Sequence, residues 1–205
     1  MTAHLTPQAT QDYADASIAG GSQSFAAASQ LFDEATRRDV TKLYAWCRHC
    51  DDVVDGQTLG HGKVVSDQSQ HQRLHQLTGD TLRALRGDAV QHPAFIALQD
   101  IVRRHELPHA LPLAHLEGFR ADVEHRSYQT LPDLLWYCYG VAGVVGIMMA
   151  HLMGVRDPQV LDRACDLGLA FQLTNIARDI VDDAQNGAST CRWNGWRKPA
   201  SPRTR

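Results

Sequence analysis

Segments that alternate apolar and polar residues between turn residues, as half-buried strands do, are nearly absent from this sequence. Apolar residues instead recur at helical spacing through most of the chain. Its 205 residues, 43% of them hydrophobic, are enough for one domain with its own core. The pattern therefore predicts a single all-α domain.

The first ten residues lack a basic start followed by an apolar run, so we see no secretory signal and expect a cytoplasmic protein. The five cysteines are too few, and odd in number, for the disulfide framework of a small secreted scaffold. Cys47 and Cys50 form a lone CxxC pair without the second ligand pair that a zinc site needs. The eleven histidines are scattered and form no HD-type metal array. Core packing by free thiols is the better interpretation of the CxxC pair.

Basic residues are scarce outside the last part of the chain. Residues 1–187 hold 15 basic and 23 acidic groups, a net charge of −8, whereas residues 188–205 hold five basic groups and no acid. A region with this much negative charge would repel phosphate, which argues against nucleic acid as a partner. A phosphate ester could bind this acidic region only through bridging metal ions.

Turn residues and helical periodicity divide the chain into segments. We predict one or two helices over residues 23–55, ended by a mobile loop that begins at Gly56, and another helix over Gln70–Arg86. The next helix begins at Pro93, and a break at Pro108 and Pro112 precedes an amphipathic segment over residues 113–126. Pro132 begins the longest apolar stretch.

That stretch, residues 134–153, contains no Asp, Glu, Lys or Arg and is long enough to cross a membrane. Its glycines, tyrosines and His151 are unusual for a lipid-facing surface and favour a central helix enclosed by others. Small residues on such a helix would also leave space for a long apolar ligand beside the backbone.

Two polar stripes carry the chemistry. At 3.6 residues per turn, Tyr44, Arg48, Asp51 and Asp55 share one face of a helix that ends in a DDxxD pattern. A second face, on the apolar helix of residues 167–181, holds a further set: Gln172, Asn175, Asp179 and Asp183. Alone, DDxxD is also typical of an exposed acidic helix end. If both faces line one cavity, however, their oxygens form a site for hard divalent cations.

Five segments in order resemble the squalene and phytoene synthases, and most closely the bacterial phytoene synthases. Residues 44–55 (YAWCRHCDDVVD) and 172–183 (QLTNIARDIVDD) resemble the two aspartate-rich regions of that family. Residues 22–25 (SQSF) resemble its SxSF segment, 118–122 (GFRAD) its GMRMD segment, and 137–146 (YCYGVAGVVG) its glycine-rich central helix. The resemblance implies an isoprenoid-synthase-type helical bundle around a central cavity.

The resemblance also implies roles for individual residues. On the two sides of the cavity, the metal ligands would be Asp51, Asp55, Asn175, Asp179 and Asp183. The diphosphate contacts would be Ser22, Ser24, Tyr44, Arg48 and Arg178. Near the reacting carbons would lie Tyr137 and Gln172, which with Tyr44 and Arg48 are the catalytic candidates. The channel for the prenyl tail would be lined by Phe25, Val141, Val145 and the small residues of the central helix.

The activity that the resemblance implies is the head-to-head condensation of two geranylgeranyl diphosphates to 15-cis-phytoene through prephytoene diphosphate, in carotenoid biosynthesis. Mg²⁺ or Mn²⁺ and the arginines would neutralise the diphosphate leaving group. The apolar product suggests peripheral contact with the inner membrane, and no obligate protein partner is evident.

Several alternatives stay open. A squalene or dehydrosqualene synthase would use farnesyl diphosphate, and the absence of a GxGxxG fingerprint does not exclude the NADPH-dependent one. A head-to-tail prenyl elongase or a terpene cyclase would share the metal chemistry. A non-catalytic helical module would instead bind a partner through exposed apolar surface.

The resemblance stops after Gln185, so we expect an incomplete helical domain over residues 1–187 that lacks its C-terminal helices. A bundle without these helices would expose apolar surface and admit water, so the fragment is expected to be unstable or inactive. A one-frame shift of the codons for residues 187–200 would permit a family-like segment, xVYLPMEWLEKAGL. The hypothesis is that residues 188–205 are an out-of-frame, disordered tail.

Overall fold

Helices account for the regular elements of the described residues. The computed structural model describes residues 6–59 and 68–185, with side chains up to Asp179. In chain order the elements are α1 (Pro7–Gly21), α2 (Gln23–Ser29), α3 (Glu34–Asp55), α4 (Gln70–Arg86), α5 (Pro93–His105), α6 (Ala110–Val123), α7 (Leu131–Cys138), a π turn (Tyr139–Gly143), α8 (Val144–Leu152) and α9 (Pro158–Gln185). The predicted all-α class is confirmed.

Local sequence signals explain where several helices begin and end. α4 has the predicted bounds because Ser69 and Gln72 form a capping box at its start, while Gly87 takes a φ of 80° at its end. α5 begins at Pro93 as predicted. The segment 23–55 forms two helices, and the Asp33 side chain caps the second by accepting a hydrogen bond from the Thr36 N–H.

Two predicted boundaries were wrong. Pro112 does not break the chain but lies in the first turn of α6, where its missing N–H costs nothing because such groups have no intrahelical partner. α9 begins at Pro158 rather than near residue 167, since its first turns pack against α8. Of the predicted loop after Gly56, residues 60–67 lie outside the described residues, as does the predicted tail 188–205.

α3 is the axis of the main core. Its Leu43, Trp46, Cys50 and Val54 recur at helical spacing and are all buried within one cluster. Side chains of α4, α5, α6 and α8 complete that cluster, and α1 packs against α3 outside it. Cys50 therefore serves core packing, as its apolar neighbours predicted, and burial raises its pKa well above the usual value. The opposite edge of α3 stays free for its polar stripe.

A second, smaller core joins α6, α7 and α9. Its buried members are Ala121, Tyr128, Leu134, Tyr137, Cys138 and Ile176. Val141, Leu169 and Leu173 pack against it. This cluster links the half of the molecule built on α3 to the half built on α9.

We call α7, the π turn and α8 together the central segment. Its glycines were expected from the sequence to leave space for a ligand, but they do not. A Cβ on Gly140 would lie 2.9 Å from the Gly118 Cα, and one on Gly146 would lie 2.3 Å from the Ala164 carbonyl oxygen. A Cβ on Gly143 would lie 3.0 Å from the Cys165 Sγ. Neighbouring backbone fills the space at Gly140 and Gly146, and side chains fill it at Gly143, so these glycines serve close helix packing.

By length and composition, the 22 residues of the central segment could cross a membrane. Half of the most apolar window is buried among other helices, however, and the segment packs against both α6 and α9. The expected enclosed central helix describes this arrangement better than a lipid-facing span.

Candidate active site

The predicted face of α3 exists as a connected set of side chains. Arg48 Nη1 donates a hydrogen bond to Asp51 Oδ2 at 2.7 Å. Its Nε and Nη2 lie 3.4 and 3.5 Å from the Tyr44 hydroxyl oxygen. Because the guanidinium is held between a phenol and a carboxylate, it is fixed in place before any ligand arrives.

The segment between α1 and α2 lies beside Tyr44 and Arg48. A Cβ on Gly21 would lie 2.5 Å from the Tyr44 hydroxyl and 3.3 Å from Arg48 Nε, so only glycine fits there. Next along the chain, the Ser22 and Ser24 hydroxyls are 3.2 Å apart. Ser22 Oγ also accepts a hydrogen bond from the Phe25 N–H. The structure thus brings the predicted phosphate-contacting serines to the predicted catalytic pair.

Phe25 lies at the open edge of this group. Its ring meets that of Tyr44 edge to face, with 6.1 Å between centroids, yet 58% of the residue is exposed. The ring is therefore packed on Tyr44 on one side and open to solvent on the other.

The carboxylates of α3 repel one another in a partly desolvated setting. Burial and the neighbouring Asp55 raise the pKa of Asp51 to about 6, although Arg48 opposes the shift. Burial and Asp52 raise the pKa of Asp55. Carboxylates held in this way are suited to a divalent cation, which relieves both the repulsion and the loss of water.

Asp122 of α6 is a third member of this acidic group, and the sequence analysis gave it no role. Burial raises its pKa to about 7, with Asp55 and Asp51 adding to the shift, while hydrogen bonding from Tyr137 opposes it. Among the described residues, however, no three such ligands already converge into a metal site. The GFRAD segment that ends at Asp122 was the available signal, but it did not show which way the carboxylate faces.

Tyr137 lies between the two halves of the molecule. It is buried, its hydroxyl faces Asp122, and its ring stacks on Tyr128 with 5.0 Å between centroids. Burial, then the charge of Asp122, raises the pKa of Tyr137, so it remains a neutral phenol. Tyr128 was also missed by the sequence analysis. Its own hydroxyl is buried without a partner among the described side chains.

The two predicted channel valines lie against different clusters. Val141 packs with Leu169 and Leu173 beside the smaller core, whereas Val145 packs against the main core. Both are partly exposed. They therefore do not form one continuous wall between them.

The second polar stripe is less complete. Gln172 is partly buried and Asn175 is exposed on α9, and the Asp183 side chain lies outside the described side chains. Arg178 Nε and Nη2 donate to the two carboxylate oxygens of Asp179 at 2.6 and 2.8 Å. These hydrogen bonds lower the pKa of Asp179, and the pair occupies groups that were predicted to bind metal and diphosphate.

The two stripes do not meet in the described part of the chain. α9 contacts α7, the π turn and α8, but not α3. A cavity of about 790 Å³ is instead lined by α1, α3, α4 and α5 residues such as Lys42, Gln99 and Asp100. None of the predicted site residues lines it. Asp122 lies near the carboxylates of α3, and Tyr137, which faces Asp122, shares the smaller core with Ile176 of α9.

Solved structures define the fold class first. A dehydrosqualene synthase in complex with a ligand superposes with a TM-score of 0.76 and 32% identity, over 88% of this chain and 60% of that one. The squalene synthase HpnC from Alicyclobacillus acidocaldarius gives a TM-score of 0.74 and 25% identity, over 89% of this chain and 67% of that one. The fold is therefore that of the helical isoprenoid synthases.

The family follows from the sequence comparisons. The family model for squalene/phytoene synthase matches residues 18–190, so the chain belongs to the squalene/phytoene synthase family. It is 57% identical over 177 residues to a 15-cis-phytoene synthase of Pantoea ananas, covering 86% of this chain and 57% of that protein. It is 58% identical over 170 residues to a 15-cis-phytoene synthase of Paracoccus sp. (strain N81106 / MBIC 01143), covering 83% of this chain and 56% of that protein. The chain thus spans little more than half the length of these relatives.

Proposed function

We propose that this chain is the part of a phytoene synthase that holds the first diphosphate-binding group, and that the activity is the condensation of two geranylgeranyl diphosphates to 15-cis-phytoene through prephytoene diphosphate. The observation that carries the proposal is the connected set Tyr44, Arg48 and Asp51, with Gly21, the residue before Ser22, packed against it. The high identity to curated phytoene synthases supports the choice of product.

The residues of α3 would act on the leaving group. Arg48, kept in place by Tyr44 and Asp51, would offer charge-assisted hydrogen bonds to diphosphate oxygens, and the Ser22 and Ser24 hydroxyls would add two more. Bound there, the diphosphate would lie at the carboxylates of Asp51 and Asp55. The two carboxylates repel one another in the free protein, but both they and the diphosphate would be attracted to a shared cation.

The family works with a divalent cation, and the residues present fit one. Their oxygens are hard ligands, and burial together with the neighbouring carboxylates raises the pKa values of Asp51 and Asp122, a shift that a bound cation would oppose. We propose Mg²⁺ or Mn²⁺, held by Asp51 and Asp55, with Asn175, Asp179 and Asp183 contributing from α9. When bound, the ion would neutralise the diphosphate as it leaves. For Asp179 to contribute, its bidentate contact with Arg178 must first open.

The carbon chemistry would take place between Tyr137 and Gln172. Tyr137 is a neutral phenol on a buried wall, so it can orient a cation through its ring and oxygen without being consumed. Val141, Val145 and Phe25 are proposed to contact the prenyl tail. For the whole protein we further propose a cytoplasmic location with peripheral contact to the inner membrane, where an apolar product would go.

The test is product extraction after incubating the chain with geranylgeranyl or farnesyl diphosphate and Mg²⁺ or Mn²⁺. The Asp51→Asn variant should abolish product, and Asp88→Asn serves as the matched control because Asp88 forms only an exposed pair with Arg86. Phytoene from the wild type and from Asp88→Asn, but not from Asp51→Asn, supports the proposal. A C30 product from farnesyl diphosphate would favour the alternative suggested by the dehydrosqualene synthase likeness.

Inactivity of the chain needs a second measurement. Calorimetric titration with Mg²⁺ and inorganic pyrophosphate separates an incomplete enzyme, which should still bind through α3, from a non-catalytic helical module, which should not. A chain completed with a family-like continuation after Gln185 should then gain product formation. If neither product nor metal-dependent pyrophosphate binding is found in either form, the proposal is wrong.

A further inference from the structure

The π turn of the central segment frees one backbone carbonyl. In an α-helix the Val144 N–H would pair with the carbonyl of Gly140, four residues earlier. Here it donates to the Tyr139 carbonyl, five residues earlier. A buried carbonyl without a partner is costly, so a π turn in a core helix needs a donor from elsewhere.

His115 of α6 provides that donor. Its Nδ1 lies 3.0 Å from the Gly140 carbonyl oxygen, and the hydrogen bond is buried. α6 can come this close because Gly118 and Gly140 face each other, where a Cβ on Gly140 would lie 2.9 Å from the Gly118 Cα. The His115 ring is also held by Trp46 and Phe119, with centroids 5.4 and 4.8 Å away.

The protonation state of His115 follows from these contacts. A carbonyl can only accept, so the ring proton must be on Nδ1. Nε2 is buried without a partner among the described residues, which suits the unprotonated nitrogen. Burial also lowers the pKa of His115 to about 4, although the hydrogen bond to Gly140 opposes this shift.

The turn sets the direction in which Tyr137 points. The extra residue in the turn rotates everything before it by about 100° relative to an unbroken α-helix. After the turn, α8 is fixed by the contact of Gly146 with Ala164. Before it, Tyr137 meets Tyr128 and Asp122. Loss of the π turn would therefore turn Tyr137 away from Asp122.

We propose that His115 is a positioning residue: its Nδ1–H stabilises the π turn and thereby holds Tyr137 against Asp122 and Tyr128. The effect on turnover rests on the proposed function. The tautomer of His115 and the position of Tyr137 do not depend on the proposed function.

The decisive variants differ in where they place a hydrogen-bond donor for the Gly140 carbonyl. His115→Asn keeps an amide N–H near the position of Nδ1, whereas His115→Gln moves it to the position of Nε2. His115→Phe keeps the ring without a donor. His151→Asn is the matched control, since His151 is a buried histidine of α8 with no part in the turn.

Two readouts on the wild-type chain and the variants test the structural claim. Nitrogen-15 spectra should show His115 as the Nδ1–H tautomer that does not titrate between pH 5 and 8. The ring-current shift of Tyr137 caused by Tyr128 should persist in His115→Asn and disappear in His115→Gln and His115→Phe. An Nε2–H tautomer, or a Tyr137 shift unchanged in the Gln and Phe variants, would overturn the proposal.

Kinetics test the consequence. We expect His115→Gln and His115→Phe to lower kcat by about tenfold or more with little change in KM, because the diphosphate contacts on α3 are untouched. His115→Asn and His151→Asn should stay within about threefold of wild type. His115→Gln combined with Tyr137→Ala should lose no more than Tyr137→Ala alone, and full additivity would contradict the proposal. If the wild-type chain forms no product, the kinetic comparison is made on the chain completed after Gln185, while the spectra of the wild-type chain still decide the role of His115.

Discussion

The faces of α3 and α9 carry similar polar stripes but differ in how they are supported. On α3, Arg48 is fixed by Tyr44 and Asp51, and the helix is anchored in the main core by Trp46 and its neighbours. On α9, the described side chains of the stripe form one such contact, the Arg178 and Asp179 pair, and a neighbouring face exposes Val160, Leu167 and Phe171.

This difference shows that the motif does not determine how far a site is assembled. Both stripes follow the same helical spacing, but only α3 has other elements packed around its polar face. The exposed apolar side chains of α9 recur at i, i+7 and i+11, one face of a helix that has no partner in the described part of the chain. The α3 stripe is thus preorganised, while the α9 stripe still lacks its surroundings.

The largest expected effect is on the α3 side. Arg48→Met removes the charge that opposes the repulsion between Asp51 and Asp55, so we expect affinity for Mg²⁺ with pyrophosphate to fall by about 100-fold. The pKa of Asp51, followed by carbon-13 NMR, should rise above about 6. Arg103→Met is the control because Arg103 is exposed and 3.7 Å from Asp100. Equal binding by both variants would contradict the assignment of α3.

The next effect separates the two faces of α9. Ile176→Ala empties a buried position in the smaller core and should lower the free energy of unfolding by about 2–4 kcal/mol. Phe171→Ala, on the exposed face, should change it by less than about 0.5 kcal/mol. Urea denaturation of both variants measures the difference. A comparable loss from Phe171→Ala would show that this face is already covered.

A third test addresses how α9 is attached. Gly146→Ala would place a Cβ 2.3 Å from the Ala164 carbonyl oxygen, so we expect a loss of about 1–3 kcal/mol. Gly79→Ala in α4 meets only the end of Arg83 at 4.0 Å and should stabilise the protein by about 0.5–1 kcal/mol. Thermal unfolding of the pair gives the contrast, and a stable Gly146→Ala protein would rule out the close packing of α8 on α9.

The smallest effect depends on pH. Because the folded pKa of Asp122 is raised to about 7 from 3.8, its protonated form favours folding below pH 4, and this contribution is lost as the pH rises toward and through 7. Asp122→Asn mimics the protonated form and should be more stable than wild type by about 1–2 kcal/mol at pH 8, after allowance for solvent screening. Near pH 4 the two should be equal. The difference in denaturation midpoints between the two proteins isolates Asp122, and a constant difference across this range would refute the shift.

Spacing alone predicted much of the fold and the shared polar face of α3. The bounds of α4, the start of α5 and the shared face of Tyr44, Arg48 and Asp51 depend on local rules of capping and helical period, which the sequence contains. The placement of Pro112 could not be predicted, because the same residue suits a break or a first turn. Asp122 was missed because its direction depends on how α6 packs.

The helices, the two polar stripes and the family resemblance depend on residues a few positions apart, so they could be recognised without any tertiary structure. Long-range packing places Gly140 and Gly146 against neighbouring backbone, turns Asp122 toward Tyr137, and leaves α3 and α9 without contact among the described residues. These features join residues far apart in the chain. Their distances are set by how closely helices can approach, which no local pattern records.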